Sequence, residues 1–213
     1  MDRRSASIAV AIAVLVAACA LVWWLQHDGS DPGSDAGPPA APATSMETPP
    51  ALPSERDPCV RPATEPFTPH RIAIEDVVER TAVIGVGRDE RGVTGVLPIS
   101  DKVNVAWDVG GIRPGSRRGN VLLNTHTWPD GTALGNALLD RLDRGDRVVL
   151  AGSNGARLCY RVTREVEVLA SDGYPPYYRT GGPPQVAIIV CSGTRSASGE
   201  WSHRTIWFGR PVR

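Results

Sequence analysis

After residue 58, the chain is a series of short apolar runs separated by turn-forming residues. The clearest run is 186–191, rich in β-branched side chains, with Gly-Gly-Pro-Pro shortly before it and Ser-Gly after it. Such a run predicts a buried strand. Further strand signals lie at 71–77, 82–86, 93–98, 104–107, 120–125, 147–151, 158–168 and 205–208. Many short strands with turns between them predict an all-β fold, a single closed barrel of about eight strands.

One stretch follows a helical spacing instead. Leu134, Leu138 and Leu142 lie four residues apart, after a Pro-Asp-Gly-Thr turn and before Gly145. Residues at this spacing share one face of a helix, so the stretch predicts a short helix. We expect one or two short helices in the barrel domain, this one among them.

The N-terminal segment 1–26 predicts a membrane anchor. Its run 8–25 is uncharged and follows Arg3 and Arg4, and eighteen helical residues span about 27 Å, close to a hydrocarbon core. The arginines favour a cytoplasmic N-terminus with the rest of the chain outside. Two alternatives stay open: a signal peptide cleaved near Ala18-Cys19-Ala20, or a lipoprotein cleavage box at 16–19. Every version exports the C-terminal part.

Segment 27–58 is dominated by Pro, Ala, Gly, Ser and Asp. It has too few large apolar residues to offset the entropy of ordering, so we expect a disordered tether. As a flexible coil it reaches about 30 Å. The remaining residues, 59–213, are enough for one core and are expected to form the barrel domain.

Charge and cysteine content exclude several classes of function. The chain has 23 basic and 23 acidic residues, so no basic excess points to nucleic acid. Its four cysteines include no C-x-x-C pair and no histidine at ligand spacing, which argues against a zinc site. We therefore expect neither a metal nor a cofactor.

Two of the cysteines are candidates for a disulfide. On the predicted strand 158–168, Cys159 lies on the face opposite the apolar side chains. Cys59 lies where the tether meets the barrel. In an exported protein the simplest interpretation is a Cys59–Cys159 bridge that pins the incoming chain to the barrel wall, the alternative being two unpaired thiols. The pairing leaves Cys191 alone, as a nucleophile requires.

Three residues are candidates for chemistry. Cys191 ends an apolar strand where solvent begins, His126 lies at a strand-to-loop junction, and Arg204 starts the last strand, thirteen residues after Cys191. Taken singly, each also fits an ordinary role: a buried cysteine, a structural histidine, a solvated arginine. Near a thiol, a protonated His126 and Arg204 would favour the reactive thiolate.

Together these features resemble the sortases, most closely the actinobacterial class F members. The resemblance covers residues 69–213 and rests on the order of anchor, tether, strand ending in His, helix, strand ending in Cys, and Arg. It includes Gly-Ile-Arg-Pro-Gly at 111–115 and Gly-Asp-Arg-Val-Val at 145–149. Two positions depart from the family pattern: Thr125 replaces the usual Gly before the histidine, and Val190 the frequent Thr before the cysteine.

The resemblance implies a cysteine transpeptidase at the surface of a Gram-positive cell. Cys191 would attack the Thr-Gly carbonyl of an LPXTG-like sorting signal, His126 would protonate the leaving amine, and Arg204 would hold the substrate backbone or the oxyanion. An amine of a lipid II-type peptidoglycan precursor would resolve the thioester. The implied partners are sorting-signal proteins and that precursor, with the N-terminal helix in the cell membrane and the catalytic domain extracellular.

Aromatic residues near the three candidates predict a groove for an extended peptide. Tyr177 and Tyr178 lie in the Gly- and Pro-rich loop before the cysteine strand, and Trp128 and Trp201 lie close in sequence to His126 and Arg204. For each of them, packing against the barrel is the alternative.

Other functions are less compatible with the residues around Cys191. An L,D-transpeptidase normally has a Ser-x-Gly-Cys-Arg-type context, whereas Gly193 here follows the cysteine. A phosphatase loop needs Arg six positions after Cys, where the chain has Ala197. A membrane-tethered binding module with a β-barrel head and an inert cysteine remains the non-enzymatic alternative.

Overall fold

The computed structural model describes residues 59–212. The predicted membrane anchor, 1–26, and tether, 27–58, lie outside the described residues. Within residues 59–212, no helix is both long enough and apolar enough to cross a bilayer.

The described chain forms a closed barrel of eight strands. In chain order the strands are β1 Arg71–Ile74, β2 Val78–Val86, β3 Val105–Asp108, β4 Asn120–Asn124, β5 Arg147–Ala151, β6 Arg157–Leu169, β7 Gln185–Arg195 and β8 Trp201–Pro211. Around the barrel they follow the order β1-β2-β3-β4-β7-β8-β6-β5. The pairs β2–β3 and β4–β7 are parallel, and the other neighbouring pairs are antiparallel. The predicted all-β closed barrel is therefore confirmed.

The leucine pattern forms a helix, as predicted. Helix α1 is Leu134–Arg141, with Leu134 and Leu138 buried in the barrel core. A second short element, a 3-10 helix at Pro175–Tyr178, lies in the loop between β6 and β7. At the start of α1, the Gly135 amide donates a hydrogen bond of 2.8 Å to the carbonyl of His126, so the helix also supports the end of β4.

Side chains alternate across the barrel wall. Inward-facing residues of all eight strands form one core cluster, represented on β4 by Val121 and Leu123 and on β7 by Val186, Ile188 and Val190. The residues between them face outward.

Part of the outer wall is also covered. Outward-facing residues of β4, β7 and β8 form a smaller apolar cluster with Tyr177 of the 3-10 helix, namely Leu122, Ala187, Ile206 and Phe208. The outer wall of the barrel at β4, β7 and β8 is therefore covered in part by the 3-10 helix.

One strand prediction is wrong. Segment 93–98 is not a strand, and within it only Thr94 makes an isolated bridge, to Arg88. Two of its carbonyls are bound by side chains instead of by a strand ladder: Asn124 donates to Gly95 and His126 contacts Leu97. Apolar alternation alone did not reveal this pairing with side chains. The first predicted strand also ends early, at Ile74, because Asp76 takes a positive φ of 55° in the turn to β2.

Cys59 and Cys159 form a disulfide in the structure. Cys159 lies on the outer face of β6, opposite its core-facing neighbours, yet it is fully buried. The chain end also reaches this point, since the Val212 amide donates to the Cys159 carbonyl. The bridge thus ties the chain at Cys59 to strand β6 of the barrel wall, next to Val212.

Candidate active site

Strand alternation places the three candidate residues on the outer face of one wall. Cys191 has the same parity on β7 as outward-facing Ala187, and Arg204 has the parity of Ile206 on β8. The antiparallel register sets Cys191 directly opposite Arg204. Because side chains of directly paired residues lie on the same face, the sulfur and the guanidinium are neighbours.

His126 reaches the same place through the parallel pair β4–β7. The register aligns Asn124 with Ile189, and two residues further along come His126 and Cys191. A contact beyond the last paired residues of β4 and β7 supports this alignment, because the Thr127 hydroxyl donates a hydrogen bond of 2.6 Å to the Cys191 carbonyl.

The three side chains line one cavity of about 260 Å³. It is lined by the end of β4 and by residues of β7 and β8, and its two walls are the 93–96 segment and the 3-10 helix. The full lining comprises Val93, Thr94, Val96, Asn124, Thr125, His126, Tyr177, Tyr178, Ile189, Val190, Cys191 and Arg204. A nucleophile, a group able to transfer protons and a permanent cation therefore share one small surface depression.

Two backbone carbonyls fix the guanidinium of Arg204. Its Nη1 donates to the carbonyls of Trp201, at 3.2 Å, and His203, at 2.8 Å. No hydrogen bond from Nε or Nη2 is made to any of the residues 59–212 that the structure describes. An arginine oriented in this way keeps donors for a substrate carbonyl or a developing oxyanion.

The thiol of Cys191 is the free cysteine of the described domain and is only partly exposed. Burial raises the pKa of this thiol; the charge of Arg204 opposes the shift and that of Glu200 adds to it. Arg204 thus acts in the expected direction, but burial outweighs it and the neutral thiol is the resting form. Chemistry at this sulfur therefore needs a base that takes the proton as the sulfur attacks.

The ring of His126 is held by the segment that precedes β3. Its Nε2 lies 2.9 Å from the carbonyl oxygen of Leu97. Asp101 lies in the same segment, and its carboxylate accepts hydrogen bonds from Asn104 and Val103. Burial raises the pKa of Asp101, but these hydrogen bonds and the charge of His126 lower it by more. The carboxylate is therefore ionised, and it is close enough to the imidazole of His126 to interact with it electrostatically.

The structure divides the four predicted groove aromatics. Tyr177 and Tyr178 line the cavity; Tyr177 is buried and donates from its hydroxyl to the Leu123 carbonyl at 3.0 Å. Within the described residues, Trp128 and Trp201 are not part of the lining. The Trp128 ring instead packs under the Lys102 ammonium, 4.6 Å from its centroid. A part for these two tryptophans in a substrate groove stays a prediction.

An ion pair supports the walls of the cavity. Asp108 is fully buried and accepts a hydrogen bond of 2.7 Å from Nε of Arg88. The Arg88 guanidinium lies 5.8 Å from the ring centroid of Tyr178, and the Thr94 hydroxyl is 3.5 Å from the same carboxylate. The buried charge thus holds residues from both walls of the cavity.

Sequence reasoning missed several residues of this site. Asn124 and Thr127 hold the surrounding backbone, Glu200 affects the thiol, and segment 93–97 forms a wall. A signal for the first two exists in the sequence: a polar run, Asn-Thr-His-Thr, follows directly on an apolar strand. The wall depends on packing between residues far apart in the chain, and Glu200 acts from the turn between β7 and β8; neither contribution has such a local signal.

Comparison with known proteins identifies the fold. No protein-family model matches the chain, and no curated protein matches it. Among solved structures, sortase C1 of Streptococcus agalactiae aligns with a TM-score of 0.50 at 20% identity, over 68% of this chain and 66% of that one. A lid mutant of the same enzyme aligns with a TM-score of 0.52 at 16% identity, over 71% of this chain and 72% of that one. A lid mutant of sortase A from Corynebacterium diphtheriae aligns with 0.51 at 17% identity, over 70% and 72%. The chain spans just under two thirds, 65% and 66%, of the first two structures it matches.

Proposed function

We propose that this chain, which has the fold of the sortases, is a cell-surface cysteine transpeptidase. The observation that carries the proposal is the convergence of Cys191, His126 and Arg204 on one cavity of the outer wall. Each of the three has an ordinary role when taken alone. Their meeting from β7, β8 and the segment that follows β4 is what acyl transfer through a thioester requires.

The reaction follows from the chemistry of the three groups. The Cys191 sulfur attacks a peptide carbonyl, its proton passes to His126, and the negative charge on the carbonyl oxygen is stabilised by Arg204. When the C–N bond breaks, His126 returns the proton to the leaving amine, and a thioester remains. An incoming amine attacks the thioester, gives its proton to His126 and releases the thiol with a new amide bond formed.

The substrate and setting follow from the resemblance of the sequence to class F sortases. The acyl donor is an LPXTG-like sorting signal cleaved between Thr and Gly, and the acceptor is an amine of a lipid II-type peptidoglycan precursor. The chain acts from the outer side of the cell membrane, anchored by segment 1–26. The open, partly apolar cavity and its two tyrosines are compatible with an extended peptide of this kind.

The direct test uses residues 56–213, which retain the whole barrel and both bridged cysteines. This protein is incubated with LPXTG-like peptides and with amines that mimic a cross-bridge, and cleavage, thioester and ligation are followed by mass spectrometry. We expect Cys191→Ala to abolish the thioester and His126→Ala to reduce its formation by at least 100-fold, the usual range for general acid–base groups being about 10²–10⁴. Arg204→Lys should also reduce the rate strongly, because lysine lacks the planar set of donors.

Matched substitutions separate catalysis from general damage. His70 is an exposed histidine at the start of β1, and Arg210 is an exposed arginine at the other end of β8. His70→Ala and Arg210→Lys should keep the activity of the wild type. Transpeptidation that survives Cys191→Ala would contradict the proposal, and a Cys191 that resists a small methanethiosulfonate reagent would favour an inert binding module.

A further inference from the structure

Four consecutive residues at the end of β4 each bind a backbone carbonyl of another segment. Asn124 donates to Gly95 at 3.0 Å and Thr125 donates to Asn104 at 2.8 Å. The next two bind Leu97 and Cys191, through the His126 ring and the Thr127 hydroxyl. Three of the four partners belong to the single segment 95–104, which is therefore tied to His126 and to the two residues before it.

The hydrogen bond between His126 and the Leu97 carbonyl has only one possible donor. A carbonyl oxygen only accepts hydrogen bonds, so the Nε2 that lies 2.9 Å from the Leu97 oxygen must carry the hydrogen. In a neutral imidazole the other nitrogen, Nδ1, then has the lone pair. The nitrogen that can take the proton of a neutral thiol is thus determined by a backbone atom.

The position of the Leu97 carbonyl is itself well determined. The Leu97 side chain is buried. Pro98 restricts Leu97 to extended backbone conformations. Beyond the proline, the Asp101 carboxylate closes a turn by accepting the amides of Val103 and Asn104. The carbonyl is presented to the ring by an ordered segment, and an ionised carboxylate lies nearby.

We propose that the backbone carbonyl of Leu97 is the positioning group of this site, holding His126 as the Nε2-protonated tautomer so that Nδ1 exchanges the proton with Cys191 and the leaving amine. The role for Nδ1 rests on the proposed function. In this arrangement Thr125, which replaces the glycine of the related family, has a defined part: its hydroxyl anchors the segment that carries Leu97. The carbonyl also stabilises the imidazolium that forms during each proton transfer.

The tautomer can be measured without any substrate. Residues 56–213 are labelled with ¹⁵N-histidine, and long-range ¹H–¹⁵N correlation spectra are recorded at a pH where the rings are neutral, with His126→Gln to assign the signal. We expect His126 to give the pattern of an imidazole protonated at Nε2. A ring protonated mainly at Nδ1 would overturn the inference, whatever the protein's activity.

The anchoring role of Thr125 gives a second, independent measurement. Thr125→Val keeps the shape of the side chain but removes the hydrogen bond to Asn104. We expect a mixture of tautomers and a loss of about tenfold in the rate of thioester formation at saturating peptide, with KM unchanged, since one neutral hydrogen bond changes an equilibrium by about that factor. Thr163→Val is the matched control, because the Thr163 hydroxyl makes a similar 3.0 Å bond to the Phe208 carbonyl, on the far side of β8.

The outcomes separate the two proposals. The Nε2 tautomer without any thioester would support the positioning of the ring and overturn the proposed function. Thioester formation with a wild-type tautomer and rate in Thr125→Val would leave the proposed function intact and overturn the anchoring role. Equal losses in Thr125→Val and Thr163→Val would show that the effect is a general loss of structure, and would likewise overturn the anchoring role.

Discussion

The Cys59–Cys159 disulfide joins the segment that enters the barrel to strand β6, and its contribution to stability can be worked out from the chain. The bridge closes a loop of 100 residues. In the chain-entropy model, cross-linking a loop of this length removes enough freedom from the unfolded state to stabilise the folded state by about 4.7 kcal/mol. For a domain of this size, 1 kcal/mol corresponds to a shift of about 2–4 °C in melting temperature. Loss of the bridge should therefore lower Tm by about 10–20 °C.

The perturbation is Cys59→Ser, which leaves Cys159 in place as a buried thiol and opens no cavity at the barrel wall. It is made in residues 56–213, which lack Cys19, and in a Cys191→Ala background, so that no third thiol can exchange with the bridge. Tm is measured by circular dichroism with and without a phosphine reductant. Reductant should lower the Tm of the parent to that of the Cys59→Ser variant and leave that variant unchanged. A decrease in Tm of less than about 4 °C in both tests would refute the reasoning. It would mean that loss of the disulfide adds little conformational freedom to the unfolded chain.

Three further predictions concern the site and its support. Glu200→Gln removes a negative charge that raises the pKa of Cys191, so alkylation of the thiol at neutral pH should become faster; in the parent, the rate should keep rising with pH beyond the ordinary thiol range, because burial raises that pKa. Arg88→Met leaves the buried Asp108 without its cation and should destabilise the domain by about 3 kcal/mol in urea unfolding. Gly135→Ala places a Cβ 2.7 Å from the Thr127 hydroxyl oxygen and against the His126 carbonyl, so thioester formation should fall even where the barrel stays folded.

Each of these has a control of the same chemical type. Glu165→Gln removes an exposed charge on β6 and should leave alkylation unchanged. Arg91→Met breaks a pair in which the arginine side chain is 84% exposed, and surface pairs contribute under about 1 kcal/mol. Gly181→Ala adds a Cβ that meets nothing within 4 Å. Three outcomes would contradict the corresponding predictions: slower alkylation of Cys191 in Glu200→Gln, equal losses of unfolding free energy in the two arginine variants, or wild-type thioester formation in Gly135→Ala.

Local patterns in the sequence were sufficient to predict the barrel, its helix and the three candidate residues. Period-two alternation and turn residues depend only on neighbours along the chain, and both were strong in segments such as 186–191. The leucines of α1 obeyed the helical period equally clearly. His126, Cys191 and Arg204 could be named because the sequence pattern predicted each at the end or the start of a strand. In the structure His126 follows the end of β4, whereas Cys191 and Arg204 lie within β7 and β8, which are longer than predicted.

Tertiary structure decided the environment of those residues. The sequence predicted a strand at 93–98, but its carbonyls bind Asn124 and His126, which lie 29 residues further along the chain. From the sequence, Arg204 and a protonated His126 were expected to favour the thiolate of Cys191. In the folded protein, burial raises the pKa of this thiol instead. Trp128 lies two residues from the histidine in sequence and yet packs against Lys102.

These outcomes share one physical reason. Alternation, helical period and turn chemistry are short-range properties, so the amino-acid sequence by itself indicated the helix and most of the strands, although not the course of segment 93–98. Desolvation, charge–charge interaction and hydrogen bonding act through space, between groups brought together only when the barrel closes. The choice of candidate residues therefore came from the sequence, whereas the burial of the thiol and the orientation of the imidazole belong to the folded molecule.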